Sequence, residues 1–196
     1  MSKPLLRIFY ADKLYSLSAT TQETTSYFGG PFPGVLAGIP HGPAPLHPVA
    51  TLNLSDLLLP GENPGLSTQP CVLPLIYGFQ FDGCELEYDI CSVNEINITA
   101  SSEKRSSNSW PYKKYPVQFP KIFLNLTEVR EVPYEDFSYE CAGLPGTQQA
   151  DIIVLVPPPS TIGVSLWGKM GDEEEVTVIF EYKPQTASVK TYNVCG

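Results

Sequence analysis

The sequence "VTVIFEYKPQTASVKTYNV" (residues 176–194) carries the strongest structural signal in the chain. Two runs rich in β-branched and aromatic residues, 176–182 and 188–194, flank the turn residues "KPQTA". Runs of this length on either side of a short turn predict a β-hairpin. The runs "DIIVLV" (151–156) and "TIGVSLWG" (161–168) precede it and also predict strands. We therefore expect three or four successive antiparallel strands in the last third of the chain.

Alternation of apolar and polar residues extends the strand prediction towards the amino terminus. In "CELEYDI" (84–90), Leu86, Tyr88 and Ile90 alternate with acidic residues. A period of two is typical of a strand with one buried face. Further strands are predicted at "LLRIFY" (5–10), "VATLNL" (49–54), "CVLPLIYGFQF" (71–81) and "SVNEINITA" (92–100).

Proline content and length set the fold class and the domain organisation. Twenty prolines among 196 residues disfavour long helices, because proline removes a backbone donor. Only short helices are expected, such as a single turn after Ser55. The stretch after the first strand, "YSLSATTQETTSYF" (15–28), is polar and rich in Thr, and no strand is predicted there. The predicted fold is mainly β (β-rich α+β), with antiparallel sheets, long Pro/Gly loops and a two-sheet sandwich as one arrangement.

The length favours a single domain over residues 1–196. The most polar stretch is "SSEKRSSNSWPYKKYP" (101–116). Polar stretches without apolar periodicity are typical of surface loops. Residues 101–116 are therefore a candidate flexible insertion within that domain.

Charge and composition exclude several classes of partner. The net charge of −9 and pI of about 4.6 disfavour binding to nucleic acid and to anionic membranes. No segment approaches the roughly 20 apolar residues that span a bilayer, and the amino terminus lacks a signal-peptide pattern. The expected location is cytoplasmic, where five cysteines without a C-x-x-C pair suit reduced thiols. No cofactor is expected, because "FGGPFPG" lacks the order of a phosphate-binding loop.

Residues 26–48, "SYFGGPFPGVLAGIPHGPAPLHP", contain both histidines of the chain, five glycines and six prolines. They are predicted to form a rigid loop that leads into the strand at 49–54, because proline fixes φ and glycine permits tight turns. This loop is also the first candidate for a pocket rim. Its candidate binding residues are Gly29, Gly30, Pro31, His41 and His47. The candidate catalytic residues are His41 or His47 as a base, with Asp82 or Cys71 nearby.

Three acidic residues, Glu85, Glu87 and Asp89, fall on one face of the strand predicted at 84–90. Carboxylate oxygens are the ligands that hard cations prefer, so a divalent-cation site is one interpretation. A basic partner is another, and a solvated strand face is the third. The twelve-residue calcium loop pattern is absent from the sequence around them.

The order of elements from residue 26 to residue 61 resembles the YwqG-like family of bacterial proteins of unknown function. The resemblance rests on a Gly-Gly-x-Pro turn followed by a short strand, here Gly29, Gly30, Pro31 and Pro33, then Ala50, Leu52, Asn53 and Leu54. "PLIYGFQFDG" and "SLWGKMGDEEEVTVIFEY" match two further strand motifs. Thr51 stands where the family often has Gln, and Gly38-Ile39-Pro40 replaces its Trp-Pro. The resemblance implies a sheet-rich α+β fold and no particular activity.

These observations favour a non-enzymatic binding or protein-interaction module that takes a protein partner or a small molecule. The ordered proline loops and the lack of a convergent catalytic motif are the reasons. Two alternatives remain. One is a hydrolase-type enzyme with a pocket rimmed by residues 26–48, and the other is a divalent-cation-binding domain.

Overall fold

The computed structural model describes residues 4–39, 46–58, 72–78, 85–102, 118–140, 151–157 and 176–195. Twelve strands and two short helices lie in these ranges. The strands are β1 (Leu6–Tyr10), β2 (Lys13–Ala19), β3 (Tyr27–Phe28), β4 (Val35–Gly38), β5 (Leu46–Asn53), β6 (Val72–Gly78), β7 (Leu86–Ser92), β8 (Glu95–Ser101), β9 (Ile122–Glu131), β10 (Ile152–Val156), β11 (Val176–Lys183) and β12 (Ser188–Cys195). The helices are α1 (Leu54–Leu57) and α2 (Tyr134–Glu140). The mainly β prediction is confirmed.

All twelve strands belong to one hydrogen-bonded sheet, in the order β4-β8-β7-β12-β11-β10-β1-β2-β9-β3-β5-β6. Every neighbouring pair is antiparallel except β4 and β8, which are parallel. The predicted terminal hairpin is confirmed, with β11 and β12 paired from Val176↔Cys195 to Lys183↔Ser188. The expected strand at 151–156 is β10, while the one at 161–168 lies outside the described residues.

The sheet bends back on itself, so that the β6 end packs against β7 and β12. The Tyr88 hydroxyl on β7 donates to the Pro74 carbonyl (3.0 Å) and accepts from the Ile76 amide (3.3 Å). The Tyr77 hydroxyl on β6 donates to Asn193 Oδ1 on β12 (2.8 Å). One apolar core fills the space between the two halves. A single curved sheet thus replaces the two separate sheets of the expected sandwich.

The burial pattern follows the alternation in the sequence. Leu86, Tyr88 and Ile90 of β7 are buried, and the acidic residues between them face solvent. Strand β8 pairs with β7 as expected. The single turn predicted after Ser55 is α1. The candidate insertion begins at Ser101, the last residue of β8, and its residues from 103 onward lie outside the described ranges.

The amino-terminal third differs from the expectation in two places. The polar, Thr-rich stretch 15–28 begins with most of the well-buried strand β2, because β1 and β9 pair on either side of it. Residues 26–48 are not one loop. They contain β3, β4 and the first residues of β5, and 40–45 lie outside the described part. Strand β5 begins at Leu46, three residues earlier than the alternation indicated.

Helix α2 covers a second, smaller core on the other side of the sheet. The Phe137 ring stacks on the Phe9 ring with centroids 4.0 Å apart and planes 11° from parallel. Leu14, Ile153 and Ile179 pack in the same cluster. This helix and strand β9 were not predicted. The central strands are therefore covered on both faces.

Candidate functional site

The β6 edge of the sheet is closed by the chain itself. Pro74 has no amide proton to offer a further strand. Its carbonyl and the Ile76 amide are both bonded to the buried Tyr88 hydroxyl. Burial raises the pKa of Tyr88, so the hydroxyl keeps its proton and continues to donate. These two backbone groups of β6 are therefore already engaged within the chain.

The β4 edge is different, because it exposes apolar side chains. Four large hydrophobic residues are exposed in the described part of the chain, and all four are in or beside β4: Val35 (64% exposed), Ile39 (48%), Val93 (44%) and Leu36 (36%). Val93 joins the group because it lies in the β7–β8 turn, next to the Asn94 carbonyl that accepts from the Val35 amide (2.8 Å). We call these four residues the apolar edge.

Two glycines allow β4 to lie against β8. A Cβ atom at Gly34 would meet the Asn94 backbone, and one at Gly38 would meet the Ile98 backbone. Gly38 also has a φ of 92°, a conformation that other residues rarely adopt. Gly34 immediately precedes β4 and Gly38 is its last residue, so a glycine lies at each end of the strand.

The backbone of β4 offers hydrogen bonds on its outer side. The Val35 and Ile39 amides donate towards β8, to the Asn94 carbonyl (2.8 Å) and the Ile98 carbonyl (2.9 Å). Because successive residues of a strand point their backbone groups to opposite sides, those of Leu36 and Gly38 face away from β8. Within the described ranges, no strand pairs with that side.

Charge is absent from this part of the sequence. No Asp, Glu, Lys or Arg occurs between Glu23 and Asp56, although the chain carries a net charge of −9. Proteins usually protect an edge strand from pairing with charged side chains, proline or a bulge. The four residues of β4 carry neither charge nor proline, and Pro33 and Pro40 lie just outside the strand in the sequence. Among the described residues, no strand pairs with its outer side.

The candidate pocket-rim residues do not come together at an open pocket. Gly29 and Gly30 are buried turn residues after β3, with φ values of 63° and 74°. His47 is fully buried on β5, with its ring centroid 5.2 Å from that of Phe119. It does not line a rim. Pro31 is exposed. His41, Asp82 and Cys71 lie outside the described residues.

The candidate cation ligands lie along one strand rather than around one point. Glu85 and Glu87 are exposed and Asp89 is partly exposed, on the same face of β7. Residues two apart in a strand are separated by roughly 7 Å along it, and a complete cation site needs further ligands that converge on one point. No group of three His, Cys, Asp or Glu in the described residues is placed to hold a metal ion. The arrangement does not support the divalent-cation site.

Two of these acidic residues instead line a polar cleft of about 480 Å³ on the outer face of β8, β7, β12 and β11. Its charged, serine and threonine lining residues are Glu87, Asp89, Thr99, Glu181, Lys183, Ser188 and Lys190. Thr99 is the extra residue of a β-bulge, since Glu87 pairs with Ala100 but Tyr88 pairs with Ile98. We call this feature the polar cleft.

Sequence analysis missed Glu181, the most buried carboxylate of the cleft. It is 7% exposed, and its Oε1 accepts a hydrogen bond from the Tyr192 hydroxyl (2.8 Å). Burial raises the pKa of Glu181, against the opposing effects of that hydrogen bond and of Lys190 and Lys183. In the sequence, the only indication of a buried carboxylate here is that Glu181 is a single acidic residue inside the apolar run "VIFEY".

Glu181→Gln is expected to raise the unfolding temperature at pH 8, because a raised pKa means that burial disfavours the charged form. The Gln oxygen can still accept from Tyr192. Stability from a raised pKa is present at low pH and is lost as pH rises through the folded-state pKa. The advantage of the variant should therefore shrink towards pH 4. Thermal unfolding across pH measures it, with Glu87→Gln, an exposed acid of the same cleft, as the control. An equal pH-dependent gain in both variants would contradict the prediction.

The described residues form a mainly β protein with one curved sheet, in which β6 is hydrogen-bonded to Tyr88 of β7 and the outer side of β4 has no strand partner. Comparison with protein-family models, with curated proteins and with solved structures finds no match. The resemblance to the YwqG-like family rests on the quoted motifs alone. In the described residues, no helix has the length and apolar character needed to cross a membrane.

Proposed function

We propose that the protein is a protein-interaction module that binds an extended segment of a partner protein along the outer side of β4. The observation that carries this proposal is the contrast between the two ends of the sheet. At the β6 edge the Pro74 carbonyl and the Ile76 amide are bonded to Tyr88, whereas β4 is apolar and has no charged residue of its own. Adding a strand to an open edge is a common way to bind peptides.

The β4 edge sets the chemistry of the partner segment. Main-chain bonds to Leu36 and Gly38 supply affinity without sequence preference, since these groups face outward. Val35 and Ile39 lie on one side of the strand, so the partner segment should carry apolar residues at alternate positions. The neighbouring Glu95 and the net charge of −9 disfavour an acidic segment.

A peptide-display library panned against the protein tests the proposal. We expect enrichment of segments with alternating apolar residues and few acidic ones. The double variant Val35→Lys/Leu36→Lys should weaken the selected peptides by more than about tenfold, because an apolar contact becomes charged. Thr21→Lys/Gln22→Lys adds the same two charges at an exposed turn and should bind like the wild type.

Backbone methylation of a selected peptide provides the second readout. Two peptides are compared, one methylated on the odd-numbered amide nitrogens and the other on the even-numbered ones. Only one of the two should lose binding, because alternate amides of an added strand face β4. Peptides that bind the β4 variant as well as the wild type would refute the proposal. So would equal loss from both methylation patterns. Sedimentation of the protein alone tests whether a second copy occupies this edge. Self-association that Val35→Lys/Leu36→Lys abolishes would overturn the proposal of a separate partner protein.

A further inference from the structure

The polar cleft is lined by residues of opposite charge. In the strand register, Lys183 of β11 pairs with Ser188 of β12, and Ser188 pairs with Asp89 of β7. Neighbouring strands are about 4.8 Å apart, so the backbones of Lys183 and Asp89 are roughly 10 Å apart with a small residue between them. The Ser188 hydroxyl lies 2.7 Å from the Thr186 hydroxyl. A cation, a hydroxyl and an anion thus form one row across the cleft.

A second row of charges lies alongside the first. Glu181 pairs with Lys190, and Lys190 pairs with Glu87, so a cation lies between two carboxylates. The first row contains one cation and one anion, whereas the second contains one cation and two anions. The bulge residue Thr99 extends the lining on the β8 side. β-bulges often re-aim a side chain next to a functional site.

We propose that the polar cleft binds a free amino acid with a basic side chain. The row of Lys183, Ser188 and Asp89 presents a cation for the ligand's α-carboxylate and an anion for its α-ammonium group. The surplus carboxylate of the second row then favours a cationic side chain. The five charged lining residues sum to −1, which matches a ligand of net charge +1.

Other classes of ligand fit the cleft less well. An anion would meet Asp89, Glu87 and Glu181 in a chain of net charge −9. A simple cation would meet Lys183 and Lys190. A volume of about 480 Å³ lies in the range of small-molecule pockets, but the charged side chains make this cleft a poor site for an apolar ligand. The amino acid is the class that uses both signs of charge.

Titration calorimetry with L-arginine tests the proposal. Agmatine lacks the α-carboxylate and N-acetyl-L-arginine lacks the α-ammonium group, so each should bind more than about tenfold more weakly than L-arginine. L-Glutamate should give no heat at the same concentrations. Lys183→Met and Asp89→Asn should each weaken L-arginine by a similar factor, and thermal unfolding of both variants shows whether they are folded.

Two matched controls separate the cleft from general charge effects. Glu85→Gln removes a carboxylate from the same face of β7 but outside the cleft, and Lys121→Met removes an exposed cation elsewhere. Both should bind L-arginine like the wild type. The proposal is overturned if agmatine binds as tightly as L-arginine, if the controls lose as much affinity as the cleft variants, or if L-arginine gives no binding in the millimolar range. It stands independently of the partner segment proposed for β4.

Discussion

Gly29→Ala is expected to lower the free energy of unfolding by about 3 kcal/mol, through left-handed backbone strain and overpacking. Gly29 has a φ of 63°, where a side chain is strained. An added Cβ would also meet the Pro120 carbonyl oxygen and lie 2.8 Å from the Phe119 Cβ. Phe119 is fully buried, and its ring centroid is 5.6 Å from that of Phe28. The turn therefore has to move together with part of the core.

Gly30→Ala is the matched control for this effect. Gly30 has a similar φ of 74°, but its nearest neighbour to an added Cβ is the flexible Lys121 side chain, with Cγ at 3.3 Å. We expect a loss of about 1 kcal/mol there, from backbone strain alone. Urea unfolding of the two variants measures the difference. Equal losses would show that the close approach of Gly29 to Phe119 and Pro120 contributes nothing.

Tyr88→Phe is expected to lower the free energy of unfolding by about 2–4 kcal/mol, because it leaves a buried donor and a buried acceptor without their partner. The lost hydroxyl bonds the Ile76 amide and the Pro74 carbonyl across the interior. The ring itself stays, so the packing of the core is nearly preserved. The effect should therefore report on those two bonds.

Tyr27→Phe makes the same chemical change at a partly exposed position. We expect it to change stability by less than about 0.5 kcal/mol. Hydrogen exchange gives the local readout, since the Ile76 amide should exchange faster in Tyr88→Phe than in the wild type. Unchanged protection of Ile76 would show that another group replaces the hydroxyl.

The strands predicted correctly from the sequence either alternate between a buried and a solvent-facing side, as β7 does, or are continuous apolar runs, as β10 is. Strand β7 alternates because its outer face lines the polar cleft, and the β11–β12 hairpin has a turn that its own residues specify. Strand β2 was not predicted because Ser16 and Ser18 are polar but buried. They lie between β1 and β9 and do not mark a solvent-facing side. One of the two partners of β2, the strand β9, lies more than 100 residues away in the sequence, and no local pattern reveals that pairing.

The candidate sites were harder to predict than the strands. Local patterns placed Glu87 and Asp89 on one face, but they could not show that Lys183, Ser188 and Lys190 would face them. That arrangement follows from the pairing of β12 with β7, a contact between distant parts of the chain. The lack of charge between residues 23 and 56 was visible in the sequence. The uncharged segment matters for binding only because β4 is an edge strand, and only the strand order of the folded sheet shows this.

Strands β1 and β2 lie in the middle of the sheet, but they are synthesised long before their outer partners. Those partners are β10 and β9, which begin at Ile152 and Ile122. At ordinary rates of translation, β1 and β2 remain without their outer partners for on the order of ten seconds. Folding is then expected to be slow, as it is for proteins dominated by contacts between distant residues. The nascent chain is most exposed to aggregation during that interval, and it is then that a chaperone would bind it.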